Sequence, residues 1–319
     1  EAMDEVAAYV QQGLSAQASS DVNQKVSLIT PASSYLSTSN AATTTRSRRE
    51  IGARVRDVVL ALALCHNVTP TSEEINGQIT TAYQASSPDE IAIIKWTEAV
   101  GLRLVHRDRQ RMTLQSTQSG RIVVRVRILD VFPFTSEGKR MGIVVEFAHG
   151  SDDLENSNDS ETSKDIWFYQ KGADTVMTSI VAANDWLDEE TANMAREGLR
   201  TLVVGRKKLT LQQYQDFQLQ YKQASLALYS RDSGMAAVVK DHLEHDLELL
   251  GVTGVEDRLQ KDVKPSLELL RNAGIKIWML TGDKVETARC VAISAKLVAR
   301  GQYIHTIARR KFFQASSLD

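Results

Sequence analysis

Residues 121–130, RIVVRVRILD, set Val124, Val126 and Ile128 on one side of the chain and Arg125 and Arg127 on the other. A period of two belongs to a β-strand, whose successive side chains point to opposite faces, so this stretch has one apolar face that something must cover. Further strand candidates lie at 111–116, 141–147 and 165–170. Close spacing and half-buried alternation favour an antiparallel sheet. The class that follows is α/β, an antiparallel sheet flanked by helices.

Helical patterns surround the strands. A short helix fits residues 2–12, and Val55, Val58, Val59, Leu62 and Cys65 recur at helical spacing as a core-facing stripe. Helices are expected at 174–182, 187–197, 210–229 and 234–247, with TLVVGRKKL as an intervening strand whose Arg206, Lys207 and Lys208 line an exposed face. From residue 248 the grammar changes to strand 249–255, helix 262–273, strand 275–280 and helix 284–298, a βαβα order that favours parallel strands. Two domains are therefore expected, 1–247 and 248–319, the second an incomplete α/β layer. The Ser-, Thr- and Gln-rich segment 15–48 and the acidic segment 150–165 have few apolar groups to offset the entropy of ordering and read as flexible.

With 319 residues the chain has room for two cores. Its formal charge of -2 gives no general attraction to nucleic acid. Cys65 and Cys290 sit in apolar runs far apart, which reads as two small buried thiols in a reducing compartment. No apolar run reaches the roughly 18 residues of a membrane span, so the chain as it stands is expected to be soluble. No histidine lies in an H-E-x-x-H pattern, and the cysteines are unpaired, which argues against zinc.

Several short stretches carry chemistry. In Ser86-Ser87-Pro88-Asp89-Glu90, Ser87 suits an N-cap, Pro88 the first helical position and Glu90 the third, where it closes a capping box or meets a ligand donor. In VFPFTSEGKRM, Phe134 beside Thr135 and Ser136 offers a ring for stacking on a planar base, Phe132 points to the core, and Lys139 and Arg140 suit anions or solvent. Strand 165–170 empties through Lys171 and Gly172 into a helix; Gly172 permits close backbone approach, Lys171 is placed to meet a phosphate, a base or water, and Asp174 reads as a cap. Arg200 stands between a glycine-marked turn and an apolar strand, within bidentate reach of a polyphosphate.

IWMLTGDK, residues 277–284, reads as a buried strand emptying into a helix amino terminus. Thr281 and the Gly282 amide suit a phosphoryl oxygen, while Asp283 either caps the helix with Glu286 or sits beside a cation that offsets the phosphate charge. Neither GxxxxGK[ST] nor GxGxxG occurs, so neither a P-loop nor a dinucleotide fingerprint explains the site.

SSPDEIAI, FPFTSEGKRM, QKGADTVM, REGLRTL, GVTGVEDRLQ and IKIWMLTGDKVETA, in this order and spacing, resemble the cytoplasmic part of a P-type ATPase of the phospholipid-flippase family, over residues 50 to 300, with the last run similar to its fungal Golgi and endosomal branch. The resemblance implies a nucleotide-binding domain joined to part of a haloacid-dehalogenase-like phosphorylation domain. It implies ATP contacts at Glu90, Phe134, Ser136, Lys171 and Arg200, and a loop of Thr281, Gly282 and Asp283 that approaches the phosphoryl group and Mg2+. Asp257 and Arg258 match the point where the chain re-enters the phosphorylation domain. The implied parent is an ATP-driven translocase of Golgi or endosomal membranes that moves phospholipid from the exoplasmic or lumenal leaflet to the cytosolic one, with regulatory protein partners.

The departures from that family shape the expectation for this chain. It contains no DKTG run to supply the phosphorylated aspartate, no GDGxND and no DGET, and Gly138 stands where the family commonly has arginine. The chain is therefore expected to bind ATP without hydrolysing it. A noncatalytic interaction module, a haloacid-dehalogenase-like phosphatase and a piece of a cation-transporting P-type pump are the other readings.

Overall fold

A computed structural model describes residues 2–15, 28–31, 48–75, 78–148, 165–227, 229–256, 258–298 and 301–307. The expected flexible segments 15–48 and 150–165, and Asp257, fall mostly or wholly outside them.

In chain order the elements are α1 (Ala2–Ser15), α2 (Arg48–Leu64), β1 (Thr69–Ile75), β2 (Gln78–Gln84), α3 (Pro88–Ala99), β3 (Leu102–Arg107), β4 (Arg111–Ser116), β5 (Ile122–Phe132), β6 (Arg140–Phe147) and β7 (Asp165–Gly172). There follow α4 (Asp174–Met177), α5 (Leu187–Arg196), β8 (Arg200–Leu209), α6 (Leu211–Ser225), α7 (Arg231–His242), β9 (Glu248–Val255), α8 (Val263–Asn272) and α9 (Val285–Ser294).

β3 to β9 form a seven-stranded sheet in sequence order, antiparallel from β3 through β8. β1 and β2 make a separate antiparallel hairpin. The alternation that defines β5 is realised: Val124, Val126 and Ile128 are buried, and Arg125 and Arg127 lie on the other side. Leu129 follows the alternation onto the opposite core, and a register shift between Ile128 and Asp130 brings Phe132 to that core as well.

Each sheet face has its own core. On one, Leu60, Leu62 and Leu64 of α2 and Ile93 and Ile94 of α3 cover Ile143, Val145, Trp167 and Tyr169. On the other, Met177 of α4, Tyr214 and Phe217 of α6 and Val239 of α7 cover Val144, Ile166 and Phe168. β7 is consequently buried along its whole length, more than the half-burial its pattern suggests. α2 differs from expectation in the same direction: residues 59–66 are buried all round and not along one stripe, since Val59 also packs on Val10 of α1.

Two compact units divide the chain, residues 1–192 with 201–255, and residues 193–200 with 256–319. The main boundary falls at 255/256, and not at the 247/248 of the sequence reading, because β9 is hydrogen-bonded into the seven-stranded sheet and Leu247, Leu249 and Val252 join one core while Leu250 joins the other.

The second unit holds α8 and α9, close to the expected spans. The strand expected at 275–280 does not form there. Ile275, Trp278 and Leu280 are exposed, Trp278 at 85%. An extended segment becomes a strand only when a neighbour supplies a hydrogen-bonding ladder, and β9, the strand expected beside it, is committed to the sheet of the first unit.

Candidate functional site

Register places several predicted residues at one end of the sheet. Phe132 lies opposite Gly142, Gly142 opposite Gln170, and Arg140 opposite Gly172. The connection between β5 and β6, which carries Phe134 and Ser136, therefore leaves the sheet where β7 delivers Lys171. Phe132 packs edge-on against Phe168, Phe217 and Tyr221, whereas Phe134, in the connection beyond the end of β5, is 62% exposed. Ser136 is also exposed. The turn is tied down locally by the Lys139 amide donating to the Thr135 carbonyl and the Gly138 amide donating to Thr135 Oγ1.

Gly172 is needed by contact. A Cβ there would stand 2.6 Å from Arg140 Cβ and 2.9 Å from the Lys139 carbonyl oxygen. The α4 N-cap is Ala173, so Asp174 opens the helix as its first residue and is buried instead of capping it.

Lys171 is buried, with its amine 3.0 Å from Glu90 Oε1. This replaces the capping box read from SSPDE. Ser87 is the N-cap of α3, and Pro88 opens the helix, but the Ser87 side chain makes no capping bond. Glu90 turns its carboxylate into the fold, taking Lys171 on Oε1 and the Asn67 amide on Oε2 at 3.3 Å. A buried ammonium exerts a stronger pull on that carboxylate than one backbone amide at a half-exposed helix end.

Behind the pair lies the turn that follows α2. Cys65 Sγ donates to the carbonyls of Met141 and Tyr169 at 3.6 and 3.7 Å, and burial pushes its thiol pKa up to about 11. His66 is fully buried; burial first, then the charges of Arg107 and Lys171, hold its pKa well below the ordinary value. Cys290, by contrast, is half-buried on α9.

Arg140 does not face an open anion site. Its guanidinium makes two hydrogen bonds to the buried Glu244, which also accepts from Gln170. These bonds raise the Arg140 pKa. Arg206 likewise departs from the exposed strand face expected for it. It is completely buried, paired with Asp57 at 2.8 Å and Glu248 at 2.9 Å and stacked over Trp167, because β8 lies between two neighbouring strands.

The remaining predicted residues belong to the second unit. Arg200 Nε stands 3.4 Å from Asp283 Oδ1, while Thr281 Oγ1 donates to Asp283 Oδ2 and accepts from the Asp283 amide. The capping box with Glu286 is not formed: Lys284 is the N-cap of α9, and the Asp283 carboxylate is taken by Arg200 and Thr281. Gly282 is open, with nothing within 4 Å of a Cβ placed there. Arg200 is held near this loop by its own backbone. Gly198 at φ +88° brings the chain against Cys290, 2.8 Å from a notional Cβ, and the buried Thr287 donates to the Leu199 carbonyl.

Sequence reasoning missed Asn67, Arg107, Gln170 and Glu244. Glu244 had one signal, its place between Leu243 and Leu247, which are buried, in a stretch read as a helix.

A family model described as P-type ATPase, cytoplasmic domain N, matches residues 54–262. The chain belongs to the P-type ATPases. Among its relatives are the phospholipid-transporting ATPase NEO1 of Saccharomyces cerevisiae, 55% identical over 97% of this chain and 24% of that protein, and a probable phospholipid-transporting ATPase IIB of Danio rerio, 54% identical over 81% and 23%. The phospholipid-transporting ATPase neo1 of Schizosaccharomyces pombe is 54% identical over 79% of this chain and 22% of its own length. The chain thus spans about a quarter of the length of these relatives. Among the described residues no helix is long and apolar enough to cross a membrane.

Proposed function

We propose that this chain is the ATP-handling portion of a phospholipid-translocating P-type ATPase. The observation that carries the reading is the exposed Phe134 ring at the same sheet end as the buried Glu90–Lys171 pair, within a domain N match. Phe134 supplies a face for the adenine, Ser136 and Lys171 supply donors, and Glu90 orients the lysine and accepts from an exocyclic amine. Arg200 carries a charge suited to phosphates, and the residues after β9 are part of a phosphorylation domain.

Thr281, Gly282 and Asp283 form the loop that meets the transferred phosphoryl group. The Thr281 hydroxyl and the open Gly282 amide are donors suited to its oxygens. Asp283, whose carboxylate is held by Arg200 and Thr281, would be the oxygen ligand this loop offers to magnesium. When bound it offsets phosphate charge. Without the nucleophilic aspartate of a DKTG run, the chain binds ATP and does not turn it over. For the whole protein the reading is movement of phospholipid from the exoplasmic or lumenal leaflet to the cytosolic one in Golgi or endosomal membranes, with regulatory protein partners; the names of the relatives support the phospholipid transport.

ATP titration followed by amide chemical shifts tests the binding step, with Phe134→Ala and Lys171→Ala run beside the unaltered chain. Saturable shifts at Phe134 and Lys171, weakened in both variants, are expected. The absence of saturable binding by the folded chain would overturn the reading.

A further inference from the structure

We infer that Arg107 and His66 are positioning residues for the nucleotide site: they hold the turn after α2 so that the Asn67 amide fixes one oxygen of Glu90 and leaves the other for Lys171. The inference rests on the reading of Glu90 and Lys171 as nucleotide contacts.

Arg107 closes β3 and reaches back to this turn. Its Nη1 donates to the His66 carbonyl, to the Val68 carbonyl at 3.3 Å and to His66 Nδ1 at 2.8 Å. The imidazole has one arrangement that satisfies all its partners. Nδ1 also accepts from the Val68 amide at 3.0 Å, so the ring proton is on Nε2 and is donated to the Ala63 carbonyl at 2.9 Å. The turn is thereby fastened to the last residues of α2 on one side and to β3 on the other. Asn67, between the two fastened residues, presents its amide to Glu90 Oε2, and Glu90 Oε1 is 3.0 Å from the Lys171 amine.

Cys65 adds a second fastening from the residue before His66. Its neutral thiol donates to the carbonyls of Met141 and Tyr169, and Met141 lies opposite Lys171 in the sheet. A carboxylate with one oxygen held has fewer rotamers open to it, so less order must be imposed when a ligand arrives. Arg107 is half-buried, its guanidinium bonds to the turn at His66 and Val68, and its charge acts on Glu90, so its influence on a nucleotide runs through the turn and Glu90.

Two measurements on the full chain decide the matter. The first uses no nucleotide: an amide donating to a carboxylate has a downfield proton shift, and Arg107→Gln should move the Asn67 amide upfield while Arg107→Lys restores part of the shift. The second measures ATP affinity in a double-mutant cycle. Arg107→Gln should weaken binding about tenfold alone and by less than about twofold once Glu90→Gln is present. His66→Gln should follow Arg107→Gln in both readouts. An unmoved Asn67 amide in folded Arg107→Gln, or losses from Arg107→Gln and Glu90→Gln that multiply in full, would overturn the inference. Failure of the unaltered chain to bind ATP would strike the nucleotide reading, and the amide measurement would still decide the positioning role.

Discussion

Arg140 and Glu244 stand 104 residues apart in sequence and meet through two hydrogen bonds, from Nε at 2.6 Å and from Nη2 at 2.7 Å. The pair joins the start of β6 to the connection between α7 and β9. Since β6 begins where the Phe134 connection ends, this clamp limits how far that connection can move. Removing the arginine leaves a buried carboxylate without its cation, though it still accepts from the Gln170 amide. Arg140→Ala should cost about 3 kcal/mol in denaturant unfolding, and adding Glu244→Leu should recover part of that loss. A single-variant change below about 0.5 kcal/mol would contradict a stabilising role for the clamp.

Gly172→Ala tests the close approach of β7 to β6. The added methyl meets backbone and Cβ atoms that cannot swing aside as a long side chain would. A loss of about 2 kcal/mol is expected, together with altered amide shifts at Lys171 and Arg140. Gly282→Ala, where the space is open, should leave stability within about 0.5 kcal/mol of the original. Equal effects at the two glycines would refute the distinction.

Acid should weaken the fold through His66. Burial and the nearby cations of Arg107 and Lys171 keep the native imidazole neutral, while in the unfolded chain it titrates near its ordinary 6.5. The native pKa is the depressed one, so the stabilising contribution is present above 6.5 and is lost as pH falls, because the unfolded state takes up a proton that the native state refuses. Between about pH 7.5 and pH 5.5 the group should account for about 1 kcal/mol of lost stability. Urea unfolding at both values should show the unaltered chain losing that much more than His66→Gln; identical pH responses would remove His66 from the account.

Trp278 should dominate quencher access. It is 85% exposed, while Trp167 is 1% exposed between the sheet and its helical cover. Acrylamide quenching of the native chain should show an accessible component that shrinks in Trp278→Phe and is unchanged in Trp167→Phe. Protection of Trp278 from quencher would mean that residues 275–280 are covered.

The core was legible in the sequence where a pattern depends on near neighbours. RIVVRVRILD gives β5 its buried face, and the helices after residue 187 fall within a few residues of expectation, because periodicity and local apolar spacing decide them. β3 and the β1–β2 hairpin carry weaker patterns: TPTSEEI is largely polar, and LRLVHR loses alternation at a register shift between Leu104 and His106. Both capping boxes failed for one reason. Spacing shows that Glu90 or Glu286 is within reach of a helix start, but it does not show that Lys171 will claim Glu90 or that Arg200 and Thr281 will claim Asp283. Burial of Lys171, Arg206 and Glu244 was equally hidden, since each depends on a partner brought in from a distant part of the chain.

The order of the seven strands bears on synthesis. From β3 to β9 each new strand joins the one made just before it, so no stretch must wait for a distant sequence before it can pair. Folding by zippering along the growing chain suits β3 to β6, joined through residues 108–110, 117–121 and 133–139, whereas β7, β8 and β9 each follow a longer connection whose closure costs more entropy, a cost that grows slowly with length. An emerging edge is covered by the next strand to leave the ribosome, which shortens the time it can capture a neighbouring nascent chain.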